Sequence, residues 1–433
     1  MFLAPSLARS DLATRLRRAV EGEVLFDAAA RGRYATDASI YQVEPVGVVV
    51  AKTEQDVTAA LEVARELQVP VLPRGAGTSQ CGQTVGAALV VDCSKYLDRV
   101  VAVDPAARTA VVQPGIALDA LNAQLKKHQL WFPVDVSTSA QATLGGMAGN
   151  NSCGSRSIEY GNMVHNVLGA DVWLADGTQA YFGRFGENKR GGDMTIASQR
   201  VREIVSGLHA IAAREKDEIA RVWPKVLRRV GGYNLDIFHP QSERPYTRDG
   251  AVNLAHLLVG SEGTLALTRR LKLQLAPLPR ARVLGVVSFP TFHRAMESAQ
   301  HLVKLGPTAV ELVDRTMIEL SRANPAFRPV IDAALVGEPD AILLVEFAAG
   351  EGGTRDALLA KLRELHALMG DLGLPGSVVD LVDDKAQKAL WDVRKAGLNI
   401  MMSMRGDGKP VSFIEDCAVP LEHLAEYLSL IHI

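Results

Sequence analysis

Cysteine is scarce in this 433-residue chain: the four present, Cys81, Cys93, Cys153 and Cys417, lie far apart and form no C-x-x-C pair. That spacing excludes a disulfide framework, a zinc ribbon and an iron–sulfur site within these residues. An excess of charge of either sign is missing too, since 47 Lys and Arg face 49 Asp and Glu for a net charge of −2. A nucleic acid or an anionic membrane wants a basic surface, so neither is expected as a partner. Uncharged apolar stretches reach only about seven to nine residues, against the ~20 a membrane helix needs. The opening Met1–Pro5 is too short for a signal sequence, and Arg9, Asp11, Arg15 and Arg17 follow at once. Reduced thiols without a leader imply a cytoplasmic protein, with the periphery of the inner membrane as the alternative. No repeat, low-complexity block, G-K-S/T phosphate loop or H-E-x-x-H pair occurs, and the ten histidines are scattered. His423 with Glu426 reads as an ordinary helix face.

What is present is the length and the apolar content for two or three domains, at roughly 150 residues each. The pattern alternates strands and helices. Val46–Val50 is short, β-branched and bounded by Pro45 and Lys52, which marks a buried strand. Thr53 and Asp56 have capping spacing, and Val57, Leu61, Ala64 and Leu67 recur at helical intervals. Strands at Val71–Pro73 and Ala88–Asp92 complete a βαβ unit with parallel strands. A second sheet is expected from Arg108–Gln113, the strand Val167–Leu174 with its Asp176–Gly177 turn, and strands at Leu254–Val259 and Leu265–Leu275. Between them lie a helix Leu118–His128, a long aperiodic stretch Trp131–Asn166, a polar excursion Arg184–Asp193 and a helix Ile196–Glu215. Pro277 and Pro279 mark a boundary. Beyond it, strands Val283–Phe289, Ala309–Leu312, Ile342–Phe347 and Val378–Leu381 alternate with helices Phe292–Leu305 and Arg355–Met369, which suits a ferredoxin-like α+β layer.

Among the 37 glycines, those of three segments stand out. Pro73–Gln80 follows a strand, and its Gly75 and Gly77 free backbone N–H groups to converge on an anion, with Thr78 and Ser79 adding hydroxyls. It lacks the third glycine of a dinucleotide fingerprint, since position 80 is Gln; a phosphate cradle and a plain surface turn both fit. Ser137–Asn151 crowds small residues, hydroxyls and amides with no charge, a surface that admits a large ligand closely. Gly260–Thr264 begins a strand; Val259 stands where a nucleophile elbow needs Gly, so a hydrolase is not indicated. His165 lies in the aperiodic stretch and reads as a packing residue.

In this order, Pro73–Gln80, Gln113-Pro114-Gly115, Trp131-Phe132-Pro133, Thr143–Asn151 with Gly154, Tyr160 and Gly161, and Gly260–Gly263 resemble the PCMH-type FAD-binding domain of the FAD-linked oxidases, the group of glycolate oxidase, D-lactate dehydrogenase and D-2-hydroxyglutarate dehydrogenase, in its larger bacterial branch. The resemblance spans about Tyr41 to Leu275. It implies an α+β protein with a two-lobed FAD-binding domain at 41–276, after a helical lead-in at 1–40 and before a ferredoxin-like substrate (cap) domain at 280–433. By motif, Arg74, Gly75, Ala76, Gly77, Thr78 and Ser79 would cradle the pyrophosphate, and Gln113, Pro114, Gly115 and Pro133 would sit beside the cofactor. Thr143, Gly146, Asn150, Ser157, Gly161 and Val164 would line its phosphate and ring ends, while Glu262 and Gly263 would meet the adenosine half or simply start a strand. Some relatives tether the flavin through a His where this chain has Thr78, so non-covalent FAD is implied.

Trp391-Asp392-Val393-Arg394, closing a helix from about Lys385, resembles the W-x-x-R motif whose Arg grips a substrate carboxylate, which a planar guanidinium does bidentately. Lys409 occupies a place suited to a second oxygen. A solvated helix-end cation remains the other reading of both. The resemblance then implies oxidation of a D-2-hydroxyacid to the 2-oxo acid with hydride passing to flavin N5. D-2-hydroxyglutarate is the first candidate because Lys409 suits a dicarboxylate; D-lactate and glycolate follow. Electrons would leave to a carrier or the respiratory chain. An oxygen-using alcohol or sugar oxidase, and a non-catalytic electron-transfer subunit, are the other readings. Phe413–Asp416 and the helix opening at Pro420 fit the same branch, and the apolar ending Leu428–Ile433 has no helix stop. The second domain is therefore expected to be incomplete, with a divalent metal, a catalytic His and iron–sulfur clusters placed beyond residue 433.

Overall fold

A computed structural model describes residues 5–185, 199–226, 228–229, 231–241, 244–397, 400, 406 and 417–432. They divide into two compact units. The first takes the chain to Cys153 and then Gly161–Ala276, with Cys417; the second takes Gly154–Tyr160 with the remaining described residues from Pro277 onward.

In the first unit, the β-branched run Gly47–Val50 is buried at every position and pairs in parallel with Leu89–Asp92. Val71–Arg74 lies parallel on that strand's far side, and Glu23–Leu25 adds an antiparallel edge. The expected crossover helix is Glu54–Glu66. Thr53 accepts from the Asp56 backbone, the Asp56 side chain returns the bond, and Val57, Ala60, Val63 and Ala64 face a core that includes Leu12, Leu16, Val49 and Val91. The second lobe is a five-stranded antiparallel sheet in the order Val100–Asp104, Thr109–Val112, Leu267–Gln274, Val167–Trp173 and Gln179–Phe182. The last two form the expected hairpin, with Gly177 at φ +84° in its turn. Leu118, Leu121, Phe132, Leu144, Met163 and Leu273 fill the core behind this sheet.

Two local expectations fail. The apolar run Leu254–Val259 is a helical turn, Ala255–Leu258, and not a strand. Asn253 dictates this: its Oδ1 accepts from the Ala255 N–H at 2.9 Å while its Nδ2 donates to the carbonyls of Val167 and Leu168. The aperiodic stretch 131–166 contains three short helices, Leu144–Asn150, Ser157–Tyr160 and Met163–Asn166. Four to seven residues are too few to display a helical period. The helix expected from Ile196 is described over Gln199–Arg214; residues 186–193 of the polar excursion lie outside the described residues.

The second unit runs strand Ala281–Phe289, helix Phe292–Leu302, strand Ala309–Asp314, helices Arg315–Ala323 and Arg328–Ala334, strand Ala341–Ala349, helix Arg355–Asp371 and strand Val378–Leu381. In space the strands stand in the order second, third, first, fourth, all antiparallel. This is the ferredoxin-like β-α-β-β-α-β order with a helix pair inserted in the middle. Both faces are covered: Val283, Val287, Leu343 and Val345 meet helices Phe292–Leu302 and Arg355–Asp371, while Leu284, Val286, Ile342 and Leu344 meet the inserted pair and helix Asp384–Lys395. That is why these strands read as continuous apolar runs and not as alternation. Among the described residues no helix is long and apolar enough to cross a membrane.

Candidate functional site

The glycine-rich segments of the first unit converge on one cavity of about 290 Å3. Its walls are the loop Pro73–Gln80, Pro114, Ser137–Thr138, the helix Leu144–Asn150 with Thr143 before it, Ser152–Cys153, and Ser261–Gly263. Close backbone approach is built in. A Cβ at Gly75 would overlap Thr143 Oγ1, and Gly77 takes φ +68° beside the Arg74 guanidinium, where an L side chain is strained. Gly145 lies against Pro114, to whose carbonyl it donates at 2.8 Å. The strand-start loop is fastened to the same helix, Gly260 N–H to Ala148 O at 2.9 Å and Glu262 N–H to Gly149 O at 3.0 Å.

Twelve of the eighteen expected cofactor residues line this cavity: Arg74, Gly75, Ala76, Gly77, Thr78, Ser79, Pro114, Thr143, Gly146, Asn150, Glu262 and Gly263. Thr143 Oγ1 is buried with no partner among the described residues, which is what a wall awaiting a polar ligand atom presents. Together with the glycine cradle, it fits an extended ligand that carries phosphate. Arg74 departs from its expected role. Its guanidinium turns behind the loop, Nη1 donating to Thr84 O at 2.8 Å and Nη2 to Thr36 O at 2.9 Å. Burial holds its pKa below the usual arginine range. It ties the start of the loop to the Thr36 and Thr84 carbonyls, which takes up both of its terminal nitrogens. Glu262 sits at φ +52°; burial raises its carboxyl above the ordinary range although Asn150 Nδ2 donates to it at 3.1 Å.

Six expected residues lie off the cavity wall. Gln113 Oε1 accepts from the Arg99 backbone, and Gly115 is pressed against the Cys93 carbonyl. Pro133 and Val164 are buried, Val164 within the core behind the second sheet. Gly161, at φ +77°, gives room to the His165 ring, and Ser157 Oγ accepts from Gly154 N–H within the second unit. His165 packs edge-on to Tyr246, and burial drops its pKa to about 3, so it is a neutral packing residue. Sequence reasoning did not single out Ser152 and Cys153, whose only signal was their place at the end of the small-residue cluster. Cys93 also lines the cavity, where burial pushes its thiol up to about 12 and favours the neutral form.

In the second unit, Asp383 caps helix Asp384–Lys395 by accepting from Lys385 and Ala386 N–H. Trp391 is buried and Arg394 emerges one turn later. Arg394 Nη2 donates to Glu311 Oε2 at 2.8 Å, its Nε is buried without a partner among the described residues, and its side chain stays 38% exposed. It is therefore neither wholly solvated nor wholly spent. Arg156 lies over the Trp391 ring at 5.0 Å and binds Glu346. Lys409 lies outside the described residues, as does most of Val411–Pro420.

Comparison with known proteins adds the following. Residues 45–182 match the FAD binding domain family, and residues 278–432 match the family described as FAD linked oxidases, C-terminal domain. The second match corrects the expectation of an incomplete second domain. The apolar ending belongs to helix Leu424–His432, whose Leu424, Ala425 and Leu428 pack on the sheet core. The chain is 31% identical over 423 residues to a D-2-hydroxyglutarate dehydrogenase of Pantoea ananatis and 30% identical over 424 residues to that of Escherichia coli, in each case across 94% of this chain and 40% of the relative. The chain thus spans about 40% of the length of these relatives. The glycolate oxidase subunit GlcD of Bacillus subtilis is 25% identical over 95% of this chain and 73% of its own. In fold, the chain is similar to an alkyldihydroxyacetonephosphate synthase, with TM-score 0.62 at 16% identity over 92% of this chain and 64% of that one. It is also similar to p-cresol methylhydroxylase, with TM-score 0.61 at 13% identity over 89% and 69%.

Proposed function

Because this chain belongs to the FAD-linked oxidases, we propose that it oxidises a D-2-hydroxyacid to the 2-oxo acid, D-2-hydroxyglutarate first and D-lactate or glycolate next. Residues 45–182 make a FAD binding domain. The cofactor's pyrophosphate is assigned to the Gly75–Ser79 loop, with Thr143 Oγ1, Gly146 and Asn150 along the same wall and Arg74 bracing the loop from behind. With no tethering His at position 78, the flavin is held without a covalent bond. When bound, FAD supplies the acceptor for the hydride that leaves the hydroxyl-bearing carbon.

The chain's own part is to bind and orient. What supports the acid as substrate is Arg394, whose partly exposed side chain has one donor placed on Glu311. A carboxylate completing that donor set takes up a single orientation, which fixes the direction of the neighbouring C–H bond. The electrons then pass to a carrier or the respiratory chain. Anaerobic mixing of the FAD-loaded protein with D-2-hydroxyglutarate, D-lactate and glycolate, and with L-2-hydroxyglutarate and L-lactate, tests the reading. Bleaching of the visible flavin absorbance by a D-acid, slowed at least about tenfold in Arg394→Ala, is expected. No bleaching by any of these acids overturns it.

A further inference from the structure

Within the second unit's sheet, Ala309 pairs with Glu346 and Glu311 with Leu344. Opposed residues share a face, as do residues two apart along a strand, so Glu311 and Glu346 stand side by side on one face in neighbouring strands. Each receives an arginine from a different part of the chain. Glu346 takes Nε and Nη2 of Arg156, both at 2.7 Å; Glu311 takes only Nη2 of Arg394, at 2.8 Å. Trp391 ties the two pairs together, lying under the Arg156 guanidinium and one turn before Arg394 on the same helix face.

The two pairs differ in completion. Arg156 has the side edge of its fork satisfied by one carboxylate and is buried. Arg394 has one donor of that edge on Glu311 and the other, Nε, buried and without a partner among the described residues, while its side chain as a whole stays partly exposed. We infer that Glu311 is the positioning residue of Arg394: it fixes the plane of the guanidinium through Nη2, so that the exposed part of the side chain meets an incoming carboxylate ready-oriented. Two effects of Glu311 oppose each other. Its negative charge repels an anionic ligand, while its hold on a long, rotamer-rich side chain removes the ordering that binding would otherwise require. The geometry, with a firm 2.8 Å bond on a sheet-mounted carboxylate, places the second effect ahead.

This inference rests on Arg394 being the carboxylate anchor, and calorimetric titration of 2-oxoglutarate into the FAD-loaded protein separates the two claims. Arg394→Ala is expected to weaken binding about a hundredfold and Glu311→Ala about tenfold. Glu311→Gln keeps an acceptor for Nη2 and sheds the repulsive charge, so its affinity is expected to equal or exceed that of the parent. If Glu311→Ala does not fold, Glu311→Asp, which withdraws the oxygens by one methylene, is expected to weaken binding in its place. Unchanged binding in Glu311→Ala with only a lower unfolding temperature makes Glu311 a structural residue and overturns the inference, as does tighter binding, which makes it a blocking group. Unchanged binding in Arg394→Ala overturns the anchor itself, a separate failure.

Discussion

The Arg156 guanidinium meets the Glu346 carboxylate at two points, Nε to Oε1 and Nη2 to Oε2, both at 2.7 Å, across 190 residues of sequence. The side chains are 10% and 1% exposed, so neither charge has water to fall back on. Removing one partner strands the other. Glu346→Ala or Arg156→Met is expected to cost about 3–5 kcal/mol in denaturant unfolding of the second unit. Replacing both with apolar residues of similar volume is expected to cost less than either single change, and a double variant as unstable as the singles combined would contradict that.

A second expectation concerns the cavity wall. Gly75→Ala places a methyl where Thr143 Oγ1 stands and is expected to abolish retention of FAD, with Thr143→Ala in the same chain restoring part of it. Thr143→Val alone keeps the shape and loses the hydroxyl. Because that hydroxyl has no partner among the described residues, apoprotein stability is expected to be unchanged while FAD affinity falls about tenfold, as read by titration of flavin fluorescence.

The third expectation is a pH effect. Burial lowers His256 to about 4 and His165 to about 3. Both folded values lie below the ~6.5 of an unfolded imidazole. Their stability contribution is therefore complete above about pH 6.5 and is lost as pH falls toward the folded values. His256 Nε2 donates to Val167 O at 3.1 Å, a bond a glutamine amide can replace. His256→Gln is expected to lose about 1–3 kcal/mol less than the parent between pH 7 and pH 4.5 in chemical denaturation. Asp236 and Glu262, whose carboxyls burial raises, act in the opposite sense in both proteins, so the difference isolates the imidazole. An identical acid limb in the two proteins would show that His256 is not the group responsible.

The three glycine clusters were legible because a backbone that must approach a ligand tolerates no Cβ, and that requirement is written in residue type. The sheet of the second unit was legible because strands buried on both faces read as plain apolar runs. The direction of Arg74 was not legible, because an arginine after a strand and before two glycines suits a phosphate equally well in front of or behind the loop. Only the positions of the Thr36 and Thr84 carbonyls decide between them, and those are set by chain closure over tens of residues. Leu254–Val259 has strand composition, yet the Asn253 amide, engaged by a strand more than 80 residues earlier, turns it into a helix. Ser157 and Val164 belong to a motif by spacing, but spacing carries no information on which side of a short helix meets the cavity.

Gly154–Tyr160, seven residues deep in the first half of the sequence, belongs to the second unit while both its neighbours belong to the first. A single cut near Pro277 therefore does not yield two separable pieces. A fragment beginning there would carry Glu346 into its core with the matching guanidinium left behind, and a fragment ending there would hold a loop folded for a sheet it no longer possesses. Exchange of the second unit among relatives, by recombination or by design, has to move this seven-residue graft together with it.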